Sequence, residues 1–93
     1  MGKGKTEKRL FKVQNQLGVH ARPASLFAKK ANEFNSVITV EKDGNTVNGK
    51  SIMGLMTLAA EEGASLTVMA EGEDAVEAMD ALEQLFREKF GED

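Results

Sequence analysis

Apolar positions recur along this chain with two different periods. Phe11 and Val13 alternate with polar neighbours and predict a first strand over residues 9–14, and Leu66, Val68 and Ala70 do the same for a last strand. Ala24, Phe27, Ala28 and Ala31 fall at helical spacing, which predicts a helix from about His20 to about Asn32 with that stripe buried. Ala75, Met79, Leu82, Phe86 and Phe90 keep a second helical stripe through the C-terminal segment. Between these helices the β-branched run from Val37 to Glu41 and the segment Thr46 to Asn48 flank Asp43-Gly44-Asn45, a hairpin signal. Ser51 opens a short helix to about Ala60, which Glu61-Glu62-Gly63 ends. The order is β-α-β-β-α-β-α, an α+β fold in which an antiparallel sheet is covered on one face by its helices.

The remaining composition narrows the class. With 93 residues there is one small domain, taken as residues 9–93 behind a flexible leader of residues 1–8. Cysteine is absent and there is one histidine, which leaves neither a disulfide framework nor a metal centre; no metal and no cofactor are expected. No apolar run approaches the roughly 20 residues that span a bilayer, so a cytoplasmic location without membrane insertion is expected. A net charge of −3 argues against a nucleic-acid binder. Gly4-Lys5-Thr6 imitates the end of a phosphate-binding loop but lacks its upstream glycine and strand, and Met1-Gly2 with Thr6 is only a formal acylation match.

The chemistry concentrates in Gly18-Val19-His20-Ala21-Arg22-Pro23-Ala24, where Asn15 to Gly18 supply turn residues and Pro23 suits a first helical turn. The first N–H groups of a helix, here those of Ala21 and Arg22, have no intrahelical acceptor and carry the positive end of its dipole. An anion on His20 would be stabilised there, and the Arg22 fork can grip two oxygens of a phosphate. The bland reading is that His20 merely caps the helix.

The string Leu17-Gly18-Val19-His20-Ala21-Arg22-Pro23-Ala24-Ser25 closely resembles the active-site signature of the HPr family, the histidine phosphocarriers of the bacterial phosphotransferase system. Gly49-Lys50-Ser51-Ile52-Met53-Gly54-Leu55-Met56-Thr57-Leu58-Ala59 resembles the family's regulatory serine segment, and the likeness runs from about Arg9 to the end of the chain. The resemblance implies an open-faced sandwich with four antiparallel strands in the order 1-4-2-3 and three helices on one face. It implies that His20, through Nδ1, accepts phosphoryl derived from phosphoenolpyruvate from enzyme I and passes it to EIIA-type acceptor domains. Such a protein is a covalent carrier rather than a turnover enzyme, because phosphoryl transfer asks for in-line placement and charge stabilisation that two partners can share.

By residue type alone Ser51 is a preferred N-cap, worth about 1 kcal/mol. By resemblance it is also a site of regulatory phosphorylation, served by an HPr kinase/phosphorylase and read by a catabolite regulator. Leu55, Leu58 and Ala59 suit the core, whereas Ile52, Met53 and Met56 are too many for a short helix to bury as well. By resemblance Ile52, Met53 and Met56, with Ala21 and Ser25, form a docking patch, and methionine suits surfaces that fit several partners. A phosphate on Ser51 would then repel an acidic partner rather than unfold the helix.

The rival readings are a nitrogen-related carrier of the same fold, towards which Leu17 and the ending Phe90-Gly91-Glu92-Asp93 lean, a non-catalytic binding module, and a hydrolase. An RNA-binding sheet would need exposed aromatics and a basic face, and a hydrolase would need a triad; neither pattern is present. A monomer is expected.

Overall fold

The computed structural model describes residues 5–15 and 20–91. Its elements are β1 (Lys5–Lys12), α1 (Ala21–Ala31), β2 (Val37–Lys42), β3 (Asn45–Asn48), α2 (Ile52–Thr57), β4 (Ser65–Gly72) and α3 (Ala75–Arg87), followed by a 3-10 turn at Lys89–Gly91. The four strands form one sheet in the order β1-β4-β2-β3, antiparallel throughout, as expected.

Alternation places Ile38 and Val40 of β2 and Leu66, Val68 and Ala70 of β4 on the inner face, all buried, while Met69 and Val37 point out. Register matches these rows across the sheet: Val40 faces Val47 on one side and Val68 on the other, and Phe11 faces Leu66. The expected α1 stripe of Ala24, Phe27, Ala28 and Ala31 is buried, as are Ala75, Met79, Leu82 and Phe86 of α3. Phe86 links the layers, stacking on Phe11 of β1 at 4.7 Å and meeting Phe27 of α1 edge-on at 6.1 Å. The β2–β3 hairpin turns through Asp43 and Gly44 at φ 52° and 85°, the left-handed pair that an Asp-Gly turn supplies.

Three elements differ from the sequence reading. The first strand begins at Lys5, inside what reads as a leader, because Lys5 to Lys8 pair with Gly72 to Met69 of β4. Its inner row is charged there: Arg9 emerges beside α3, where it meets Asp80 at 2.9 Å and Glu83 at 2.6 Å, and it also meets Glu7 at 3.1 Å. The part of the leader before Lys5 lies outside the described residues. Second, α2 ends at Thr57 rather than near Ala60. Leu58 and Ala60 are both buried, and residues two apart cannot share one helical face; Ala59 takes φ 52° and is exposed, not core as expected. Third, the C-terminal stripe is not one helix: α3 stops at Arg87, and Lys89 and Phe90 are left-handed, so Phe90 reaches the core from a turn.

A polar clasp fixes the entry to α3. Asp74 is the N-cap residue of α3, but its side chain makes no capping bond; its carboxylate accepts from the backbone N–H groups of Asn35 at 2.8 Å and Ser36 at 2.9 Å, and from the Ser36 hydroxyl. Gly72 permits the approach, since a Cβ there would lie 2.5 Å from Ser36 Oγ. The Ser36 hydroxyl, with the two N–H donors, holds the Asp74 carboxyl below its ordinary value.

Candidate functional site

Helix α1 begins where Pro23 and the apolar stripe require. His20 is its N-cap, with extended backbone (φ −109°, ψ −162°), and its carbonyl accepts the N–H of Ala24 at 2.9 Å. The His20 side chain makes no hydrogen bond that caps the helix, so the bland capping reading is not what the geometry shows. The imidazole is half-buried; Ala21 and Arg22 follow as the first two helical residues and are exposed, Pro23 is buried, and Ser25 is exposed. No acidic residue lies in the first turn, so nothing there offsets the positive end of the dipole, while Lys29 and Lys30 sit favourably in the last turn. The motif's Leu17, Gly18 and Val19, like most of the preceding turn, lie outside the described residues.

Arg22 has a neighbour with no counterpart in the sequence pattern. A methyl group placed on Gly91 would sit 3.6 Å from Arg22 Nη2, so the guanidinium lies beside the turn that follows α3. Nothing local in the sequence signals this contact between residues so far apart in the chain.

Ser51 is the N-cap of α2, as its residue type predicts: Oγ accepts the N–H of Gly54 at 3.0 Å. Gly54 leaves room for this, since a Cβ there would meet Ser51 Oγ at 3.3 Å and Val47 Cβ at 3.4 Å. Ile52, Met53 and Met56 are exposed, Met53 by 79%, whereas Leu55 and Leu58 are buried. Helix α2, which exposes these apolar side chains, packs against α1, the helix that His20 opens. Sequence reasoning missed the tie between the two helices. Asn32 Nδ2 donates to the carbonyls of Ala28 at 2.7 Å and Lys50 at 3.1 Å, and Lys50 Nζ donates to the Phe34 carbonyl at 2.8 Å. The backbone before Ser51 is thereby fastened to the end of α1; asparagine at a helix C-terminus was its one local signal.

Among the described residues no group of His, Cys, Asp and Glu could hold a metal ion, and no helix is long and apolar enough to cross a membrane. The arrangement is an imidazole at a helix N-terminus with an arginine two residues on, in the same first turn, and a neighbouring helix that exposes apolar side chains.

Comparison with known proteins agrees with this geometry. A family model described as the phosphorylation site of the HPr component of the phosphotransferase system matches residues 7–88. The HPr-like protein Crh of Halalkalibacterium halodurans is 54% identical over 70 residues, covering 75% of this chain and 83% of its own. The phosphocarrier protein HPr of Treponema pallidum is 48% identical over 82 residues, covering 88% of this chain and 93% of its own. The crystal structure of HPr from Thermoanaerobacter tengcongensis superposes with a TM-score of 0.90 at 46% identity, over 94% of this chain and 98% of that one. With the sheet order, the helix layer and both sequence motifs in agreement, this chain belongs to the HPr family, the phosphocarriers of the phosphotransferase system.

Proposed function

We propose that His20 is the residue that carries the phosphoryl group. The observation that carries this reading is that an N-cap histidine keeps its side chain out of the cap, with exposed Arg22 two residues on. In the transfer, His20 Nδ1 forms a bond to phosphorus as the donor's own bond to phosphorus breaks, and the reverse exchange delivers the group onward. The N–H groups of Ala21 and Arg22 and the Arg22 fork bind the phosphoryl oxygens, and their worth lies in being aimed before the charge arrives. One half of the site is on this chain; the partner supplies the other half.

The donor in this reading is enzyme I and the acceptors are EIIA-type domains, so the protein is a covalent intermediate without turnover of its own. Ile52, Met53 and Met56 with Ser25 and Ala21 form the docking face. Ser51, at the edge of that face, is the regulatory phosphorylation site, through which an HPr kinase/phosphorylase and a catabolite regulator act. The Ser51 segment favours the sugar branch over a nitrogen-related one. We place the protein in the cytoplasm, as a monomer whose β1 is clamped to its own α3 by Arg9.

The test is incubation with phosphoenolpyruvate and enzyme I from the same organism, followed by phosphorus NMR at alkaline pH, where phosphohistidine survives. A phosphohistidine signal that vanishes in His20→Ala is expected. Undiminished labelling of His20→Ala, with its fold intact by circular dichroism, would overturn the assignment.

A further inference from the structure

The fold sorts the methionines of this chain by their access to solvent. Met79 of α3 is buried and Met69 on the outer face of the sheet is 38% exposed, whereas Met56 is 44% exposed and Met53 79%. The two most open of these lie together on α2. Met53 and Met56 are three residues apart on one helix, so their side chains are neighbours; Ile52 lies one turn from Met56 and is exposed as well, while Leu55 is buried. Gly54, next to Met53 in the chain, has no side chain with which to cover it. No thiol, indole or phenol competes with these thioethers for an oxidant, since cysteine, tryptophan and tyrosine are all absent from the sequence.

We propose that Met53 and Met56 form a modification site for oxidants of the hydroperoxide class, hydrogen peroxide being the simplest, and that their conversion to sulfoxides weakens docking of enzyme I. This rests on the reading of the exposed α2 side chains as the docking face. In the step, a thioether lone pair attacks one peroxide oxygen and the S–O bond forms as the O–O bond breaks. The second oxygen leaves as hydroxide and takes up the proton of the first, so water is released; sulfur is oxidised and the peroxide reduced. The product is a polar, chiral group in place of an adaptable apolar one. Docking must then strip water from a sulfoxide oxygen that meets an apolar partner surface, a cost the thioether does not carry. The sulfoxide is uncharged, so the deficit it causes persists at high salt, unlike that of a charge on Ser51 at the start of the same helix. Reductases specific for each sulfoxide epimer reverse the step, releasing the oxygen as water while a dithiol becomes a disulfide. Met79 is shielded, so a dose that alters the α2 face leaves the core intact.

The experiment treats the full chain with graded hydrogen peroxide, maps the sulfoxides by peptide mass spectrometry, and measures phosphoryl acceptance from enzyme I together with its binding by NMR titration. Each protein is compared with its own untreated state. Met53 is expected to oxidise first and Met56 next, with Met79 unmodified and the circular dichroism unchanged. At that dose kcat/KM for acceptance is expected to fall about five- to tenfold, at low and high salt alike, with weaker binding to match. Met53→Leu combined with Met56→Leu is expected to keep its own untreated rate, whereas Met69→Leu loses activity as wild type does. Methionine sulfoxide reductases with dithiothreitol are expected to restore the wild-type rate. Oxidation of Met79 as fast as Met53, a full loss in the Met53→Leu, Met56→Leu protein, or oxidised wild type that binds enzyme I unchanged overturns the proposal. Met53→Glu separates that failure from failure of the docking reading: if it weakens binding where the sulfoxides do not, only the proposal falls, and if neither weakens binding the docking face falls with it. A wild-type protein that takes no phosphoryl defeats the carrier reading, and the oxidation order and the binding titration then decide the proposal alone.

Discussion

Ser51 has one role in the structure, as a helix cap, and a second in the proposed regulation, and the two can be separated by substitution. Its hydroxyl accepts the Gly54 N–H at 3.0 Å, an uncharged service to the fold. In the proposed regulation, its phosphate adds negative charge at the rim of an apolar face, a service to partners. Ser51→Ala removes the first without adding charge. Losing an N-cap acceptor costs about 1 kcal/mol. Ser51 is half-buried, so water replaces part of the lost bond and the value should fall in the lower half of the usual range, about 0.5–1 kcal/mol. In a domain of 93 residues that lowers Tm by about 2–6 °C. Ser51→Asp keeps a good cap, since aspartate ranks with serine at this position, and Tm should stay within about 2 °C of wild type.

The order reverses for phosphoryl acceptance. At 25 °C Ser51→Ala remains folded and should accept from enzyme I within about twofold of the wild-type rate, because a loss of this size leaves the native state dominant. Ser51→Asp should be slower by about tenfold, equivalent to about 1.4 kcal/mol of lost docking or transition-state stabilisation, and the deficit should shrink as salt is raised. Thermal unfolding and initial-rate measurements on the two variants, at low and high salt, decide it. If Ser51→Ala is slowed as much as Ser51→Asp, the hydroxyl itself is a docking contact and the separation argued here is wrong. If Ser51→Asp accepts at the wild-type rate in low salt, the α2 face is not where enzyme I binds.

Other parts of the molecule make independent predictions. Met53, 79% exposed, should tolerate Met53→Glu with a stability change within about 0.5 kcal/mol, while acceptance slows; titration by NMR with enzyme I should show the loss as weaker binding. The folded protein holds the Asp74 carboxyl below its ordinary value of 3.8, so the clasp stabilises fully above that value and fades as pH falls through the lower folded one. Asp74→Asn should therefore lose stability at neutral pH and flatten the acid limb of a denaturation-against-pH profile; an acid limb identical to wild type would show that the clasp does not titrate with folding. Phe86, at the centre of the aromatic cluster and 5% exposed, should cost about 3–5 kcal/mol as Phe86→Ala by chemical denaturation. Sedimentation of the wild type should give the mass of one chain, and a dimer mass would remove the monomer reading.

What could be read from the sequence is what local periodicity encodes. The stripes of α1 and α3 and the Asp43-Gly44 turn each follow from neighbours within a few positions, and all are present. The candidate site was legible for the same reason, since helix start, histidine and arginine lie within one turn, and Ser51 with Gly54 forms its own local cap. The misses arise where a residue's role is set from far along the chain. Glu7 reads as polar leader because its place is set from β4, with which Lys5 to Lys8 pair, and the carboxylates that accept Arg9 at the sheet margin, Asp80 and Glu83, come from α3. Phe90 keeps the spacing of a helix while sitting in a left-handed turn, because a buried ring four residues after Phe86 satisfies either geometry. The nearness of Arg22 to Gly91 is the extreme case: both residues are ordinary in their own neighbourhoods, and only the packing of α1 and α3 brings them together. A short motif can thus nominate the histidine and arginine of the candidate site, while the surroundings of that arginine are decided by the fold.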